Sequence, residues 1–176
     1  MTLRKAFLIG AGFGAVVGFL AAAYVAGSNA KARAANCANL TGEAQLRCVT
    51  RDVNARITAT DDLIHYGVAD RWVENPADGK GDCEDYALTK ARLLETLGWA
   101  PARMRLAVIR YGAQPHAVLL IDDTYVLDNF SPWVGRLKDY RRNLLGVFPI
   151  DVARSLSSFA PWLMVAATAS RRQPGP

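Results

Sequence analysis

Apolar residues return at helical spacing in two stretches of the chain. Leu46, Val49, Val53 and Ile57 predict a helix over Glu43–Thr58. Ala87, Ala91 and Leu94 fall at i, i+4 and i+7, and Leu88, Leu93 and Leu97 widen the same face. Gly98 and Pro101 stop this second helix. At its start Asp82 is a good N-cap and Asp85 imitates a capping box, so Cys83 falls in the first turn. Between the two helices, Asp61 and Asp62 are candidate caps for a short helix carrying Leu63, Ile64 and Tyr66. Alternation then takes over. Arg103–Tyr111 reads as a strand, with Leu106, Val108 and Ile109 apolar against Arg105 and Arg110. Tyr111–Pro115 reads as a loop, His116–Ile121 as a buried strand, Asp122-Asp123-Thr124 as a turn and Tyr125–Asp128 as a second strand, ended by Asn129–Trp133. That hairpin brings His116 beside Asp128. Phe148–Ala167 is apolar again but broken by Pro149 and Pro161, so it is expected to pack on the domain or lie at a membrane surface.

The other long apolar run is at the N-terminus. Arg4 and Lys5 precede an uncharged stretch, Ala6–Ala30. It exceeds a signal-peptide core and approaches the roughly 20 residues that span a bilayer. Three readings stay open: a membrane anchor over residues 6–28, a cleaved signal peptide with small residues at Val25-Ala26-Gly27 and Ser28-Asn29-Ala30, and, least favoured, a buried soluble helix. The glycines at 10, 14 and 18 fit a glycine-rich signal better than a helix-pairing face. On the first two the leading charges orient the body out of the cytoplasm, into a periplasm. The expected organisation is residues 1–30 as signal or anchor, 31–169 as one domain and 170–176 as a disordered tail.

The 176 residues carry a net charge of +5, placed mostly at the chain ends and in Tyr140-Arg141-Arg142. No aromatic–basic interleaving accompanies it, so no nucleic-acid partner is expected. An exported body makes a Cys37–Cys48 disulfide the expectation, with two buried thiols the alternative. Cys83 remains as the odd thiol. No paired Cys/His spacing suggests structural zinc.

A helix N-terminus favours a thiolate. A nucleophile also needs a base and a group to orient it. Histidine is scarce: His116 is the candidate base, Asp128 its orienter with Asn129 as the fallback, and His65 is assigned a structural or surface role. The backbone N–H of Cys83 is a natural oxyanion donor. Gly79 and Gly81 let backbone pass close to a substrate along the approach loop, Glu74–Gly81. Asp82, Glu84 and Asp85 raise a difficulty, because carboxylates beside a thiol push its pKa up against the helix dipole. A bound cation removes the conflict, and hard oxygen donors suit Ca²⁺. On the alternative reading Asp82 and Asp85 only cap the helix and Glu84 is solvated.

The runs Tyr66-Gly67-Val68-Ala69-Asp70-Arg71-Trp72, Gly81-Asp82-Cys83-Glu84-Asp85-Tyr86-Ala87, His116-Ala117-Val118-Leu119 and Leu127-Asp128-Asn129 resemble the bacterial transglutaminase-like cysteine peptidases, among them the periplasmic proteases that release biofilm adhesins. The resemblance spans Asp52–Val134, with the motifs in order. It implies an α+β fold: a papain-like/transglutaminase-like core with the catalytic Cys at a helix N-terminus packed on an antiparallel sheet, preceded here by the N-terminal hydrophobic helix. It implies a Cys83–His116–Asp128 triad and calcium held by Asp82, Glu84 and Asp85. It further implies a protein substrate such as a surface adhesin, and an inhibitory periplasmic receptor domain as partner. The loop before the glycine-aspartate-cysteine run is shorter than is usual in such proteins. Three function classes follow: a calcium-dependent cysteine endopeptidase acting through a thioester, a transglutaminase or amidase using the same triad, and a membrane-anchored binding module without catalysis.

Overall fold

The computed structural model describes residues 36–155. The signal or anchor at 1–30, the tail at 170–176 and the apolar stretch beyond Ser155 lie outside these residues. Among the described residues, no helix is long and apolar enough to cross a membrane.

Helix α1 runs over Gly42–Arg56, and its apolar stripe Leu46, Val49 and Val53 is wholly buried. Each such side chain contributes about 2 kcal/mol through burial. Strand β1 (Thr58–Ala59) and a short helix α2 (Asp62–Tyr66) follow. Strand β2 (Lys80–Gly81) pairs in parallel with β1 and leads into helix α3 (Cys83–Thr96). The rest is mostly sheet: β3 (Met104–Tyr111), β4 (Gln114–Ile121), β5 (Tyr125–Leu127), β6 (Val134–Arg136) and β7 (Leu144–Pro149). Their order is β6-β5-β4-β3-β7, and every neighbouring pair is antiparallel. Helix α4 (Leu137–Tyr140) links β6 towards β7, and α5 (Ile150–Ser155) ends the described chain.

Side chains alternate across the sheet, and the core divides accordingly. Ala117, Leu119 and Ile121 of β4 join Leu106 of β3 under α1 and α3. Val118 and Leu120 join Ala107, Ile109 and Val126 on the other face, flanked by Leu137 and Tyr140. Antiparallel sheet and cysteine-bearing helix are therefore both present. Ile150 and Ala153 are buried, so the described start of the late apolar stretch packs on the domain.

Three details depart from the sequence reading. The loop expected at Tyr111–Pro115 contracts to Gly112-Ala113, because Tyr111 pairs with Gln114 and Gly112 supplies φ 61°. Pro115 then lies inside β4. Strand β5 runs alongside only Leu119–Ile121, so one edge of β4 is free there and tolerates a proline. The capping box does not form as drawn: Asp82 stands at the N-cap position but makes no cap hydrogen bond. In α2 the cap is Asp61, which accepts from the Leu63 N–H at 2.8 Å. Asp62 is free to turn inward; it is 1% exposed, against 82% for Ile64.

Two devices fasten the periphery. Cys37 and Cys48 form a disulfide with Cα atoms 5.8 Å apart. Gln45 donates to the Cys37 carbonyl at 3.0 Å and accepts from Trp99 Nε1 at 2.6 Å, tying the bridge to the end of α3. Across the molecule Arg154 of α5 reaches Glu74 at 2.9 Å and Glu95 at 2.6 Å. Arg92 contacts the same two carboxylates at 2.9 and 3.0 Å.

Closing a loop of this length with a disulfide stabilises a fold by about 3 kcal/mol. Replacing Cys37 and Cys48 with serine is expected to lower the urea unfolding free energy by about that amount. Unchanged unfolding midpoints would show that the bridge constrains little.

Candidate active site

Backbone pairing sets the position of Cys83. The Thr58 N–H donates to Gly79 O at 2.7 Å and the Thr60 N–H to Gly81 O at 2.9 Å, fixing the path into α3. Gly81 is required here, since a Cβ would lie 2.8 Å from that of Asp85 and collide with its carboxylate. Cys83 is the first residue of α3, half-buried, and the free cysteine of the described residues. Its thiol donates to Glu84 Oε2 at 3.3 Å. Burial and then the Glu84 charge push the thiol pKa well up, while the Ala117 backbone N–H pulls it down.

His116 and Asp128 meet as the hairpin predicts. Asp128 Oδ1 lies 2.8 Å from His116 Nε2, and both side chains are nearly buried. A carboxylate only accepts, so Nε2 carries the hydrogen and Nδ1 is the basic nitrogen. Burial alone would raise the Asp128 pKa. The His116 hydrogen bond, the Phe130 N–H at 3.0 Å and the charges of His116 and Lys90 hold it below the usual carboxylate range. The Phe130 ring stacks on the imidazole, centroids 4.2 Å apart and planes within 5°. Tyr111 lies beside Phe130 at 5.0 Å. Lys90, on α3, is buried with its Nζ lacking any hydrogen-bond partner. Burial pulls its pKa down to about 7, opposed by Asp128.

Cys83 and His116 line one cleft of about 560 Å³, while Asp128 sits behind the imidazole. Tyr111 and Phe130 also line this cleft, as do Ala59, Ala69, Asp70, Asp82 and Glu84.

Of the acidic residues expected together, Asp82 meets both others: it groups with Glu84 beside Cys83, and with Asp85. Glu84 and Asp85 themselves diverge because successive side chains leave a helix about 100° apart. Asp82 and Asp85 are joined by Asp62, with ligand oxygens within 4.8 Å of one another. Glu84 groups in the same way with Asp62 and Asp70. One oxygen of each inner carboxylate is held by backbone: Asp62 Oδ2 accepts from the Arg71 N–H, and Asp85 Oδ1 from the Val73 N–H at 2.6 Å. The remaining oxygens, Asp62 Oδ1, Asp85 Oδ2 and also Asp82 Oδ1, are buried without a hydrogen-bond partner. Burial raises the pKa of all four groups. Asp82 rises to about 6, with the charges of Asp62, Asp70 and Asp61 adding to burial. Asp85 rises to about 7, with Asp82 and Asp62 adding and the Val73 N–H opposing. Asp62 is raised despite the Arg71 N–H. Glu84 lies well above its usual range through burial and its bond to Asp82. Clustered, desolvated and orphaned oxygen donors fit a hard cation.

Sequence reasoning missed Asp62 and Asp70. A signal existed at the first: Asp61 and Asp62 are adjacent, and only one can cap α2. It also missed Phe130, whose role appears only once the hairpin is folded. His65 lies 2.7 Å from Asp78 and packs tilted against Tyr66, ring centroids 3.9 Å apart, outside the Cys83 cleft. The side-chain oxygen of Asn129 is buried without a partner, and it is Asp128 that meets the imidazole.

Comparison with known proteins supports the same class. The fold matches a solved structure of Legionella pneumophila LapG with a TM-score of 0.55 and 20% identity, over 86% of this chain and 93% of that one. An EGTA-treated LapG structure matches at 0.46 and 19%, over 68% and 81%. A calcium-bound one matches at 0.45 and 18%, over 79% and 98%. No curated protein matches the chain. Residues 22–141 match the family described as bacterial transglutaminase-like cysteine proteinase. A match over most of the chain, on a mixed α/β fold with an antiparallel sheet, makes this protein a member of that family, a transglutaminase-like cysteine peptidase.

Proposed function

We propose that this peptidase cuts a protein substrate, a surface protein outside the cytoplasm, through a Cys83–His116–Asp128 triad. The observation that carries the reading is the 2.8 Å bond from Asp128 to His116 Nε2. It leaves Nδ1 as the basic nitrogen in a cleft that Cys83 also lines. His116 Nδ1 takes the thiol proton as Sγ attacks a peptide carbonyl carbon. The Cys83 backbone N–H, at the helix start, donates to the developing oxyanion. The imidazolium returns its proton to the nitrogen as the C–N bond breaks, the amine leaves, and a thioester to Cys83 remains. Water attacks that thioester, its proton passes to His116, and the carboxylic acid leaves as the thiol reforms. Asp128 keeps the tautomer throughout. The Cys37–Cys48 disulfide supports an oxidising compartment.

The acidic cluster is read as a calcium site in which Asp62, Asp82 and Asp85 hold the ion, with Glu84 and Asp70 at its border. When bound, the ion supplies positive charge that offsets the carboxylates now raising the Cys83 pKa. It would also join α2 to α3 across the acidic side of the cleft.

Cys83→Ala and His116→Ala are each expected to abolish peptide cleavage with the fold retained, and Asp128→Asn to slow it about 10⁴-fold. Termini released by wild type but not by Cys83→Ala would identify the substrate. An amine donor present in the reaction should not be incorporated; cross-linked product would make the enzyme a transglutaminase.

A second prediction concerns pH. Between the usual carboxylate range and pH about 7, native Asp82 and Asp85 keep protons that the unfolded chain has released. Without the ion, stability therefore falls as pH rises through that window. Calcium binds the deprotonated form, so its stabilisation grows over the same window. At a hundredfold excess over Kd it amounts to about 2.7 kcal/mol. Thermal unfolding should show a larger calcium shift at pH about 8 than at pH about 5, and Asp62→Asn should shrink it. Equal shifts at both pH values, or an unaffected Asp62→Asn variant, would remove these side chains from calcium binding.

A further inference from the structure

The segment Asp128–Ser131 serves the imidazole twice. Asp128 orients it through Nε2, and Phe130 lies flat against its face. Asp128 Oδ1 also accepts from the Phe130 N–H at 3.0 Å, locking the two functions into one turn. Such a turn leaves its own carbonyls pointing elsewhere. Three of them converge on a single amide from α1: Asn54 Nδ2 lies 3.0 Å from Asp128 O, 3.4 Å from Asn129 O and 3.1 Å from Ser131 O. The contact spans more than seventy residues of sequence. The other end of that amide is buried without a partner at Oδ1. A side chain kept for packing alone gains nothing from an orphaned acceptor, which costs stability. An aliphatic side chain of similar size would avoid that cost but could not hold the carbonyls.

From this geometry we propose that Asn54 is a positioning residue for catalysis. Its amide anchors the Asp128–Ser131 turn to α1 and so fixes the angle at which His116 presents Nδ1 to Cys83. The proposal rests on the triad reading above. Asn54 makes no hydrogen bond to the thiol or the imidazole; it holds the Asp128 carbonyl directly and flanks Phe130 through the carbonyls of Asn129 and Ser131. Loosening the turn lets Asp128 and Phe130 shift together, and proton transfer is sensitive to such displacement. A misplacement of about 1 Å costs about 10²-fold in rate. Substrate binding depends on the cleft surface and should be little affected.

The test compares wild type with Asn54→Leu, which keeps the volume but removes the donor, and with Asn54→Asp, which keeps the shape and only accepts. Peptide cleavage is measured on the full chain in excess calcium, alongside the rate of Cys83 alkylation by iodoacetamide as a function of pH. Both variants are expected to lose about 10- to 100-fold in kcat with KM within about twofold. The midpoint of the alkylation profile should move, because it reports the thiol–imidazole pair. Thermal unfolding separates this from instability, since loss of activity must persist at temperatures where the variants are fully folded. Wild-type kcat and alkylation profile in both variants, while His116→Ala is inactive, would overturn the role of Asn54 and leave the triad standing. Full activity in His116→Ala would instead overturn the triad and this inference with it. Loss that disappears on cooling would reduce Asn54 to a structural contact.

Discussion

Four carboxylates crowded at the foot of one helix are the constraint around which the site is arranged. Asp62, Glu84 and Asp85 are nearly inaccessible to solvent, and Asp82 is half-buried beside them. Removing one ion from water costs several kcal/mol in a folded protein. A helix N-terminus returns only about 0.3–1 kcal/mol per charge at an exposed site. The backbone N–H groups of Arg71 and Val73 satisfy one oxygen each of Asp62 and Asp85 and explain why the segment between α2 and β2 wraps this corner. Gly81 leaves the space that the Asp85 carboxylate occupies. The local fold is therefore an electrostatic knot, and Cys83 lies on its border with its thiol turned to Glu84.

Across the cleft the chemistry is of the opposite kind. His116 is enclosed by Asp128, Phe130 and the sheet, where a buried hydrogen bond joins imidazole to carboxylate and the Phe130 ring stacks on the imidazole. Lys90 adds a buried amine from the helix, whose pKa the Asp128 charge raises against burial. The sulfur shares its cleft with acidic groups that raise its pKa and with the imidazole.

Much of this could be read along the chain because it depends on neighbours in sequence. The helix spacing after Asp82 places Cys83 in a first turn, and residues 82–85 carry the acidic chemistry openly. The hairpin was equally plain: Asp122 and Asp123 adopt φ of 50° and 49°, the left-handed turn that acidic residues tolerate, and this closes the register bringing His116 to Asp128. Failures begin where two residues compete for one local role. Asp61 and Asp62 each fit a helix cap, and only packing shows which is left to enter the cluster. Asp82 fits a cap by its place in the sequence, yet its carboxylate turns to other acids. Asn54 and Phe130 gave no signal. Their partners lie far off in sequence or across a turn, and nothing local distinguishes an asparagine that spans two elements from one that faces water.

The bridge of Arg92 and Arg154 over Glu74 and Glu95 has a bearing on how α5 communicates with the loop before α3. Glu74 opens the loop that leads to Gly81, and Asn75 behind it donates its N–H to Thr89 of α3 at 2.9 Å. Helix α5 thus acts as a rear clasp on the loop that leads to Gly81 and Cys83. Trimming the chain ahead of Ile150 would leave Glu74 gripped by Arg92 alone, and slack would pass forward along that loop. Helix α5 is thus mechanically connected to the loop that feeds the cysteine-bearing helix, although it lines no part of the Cys83 cleft.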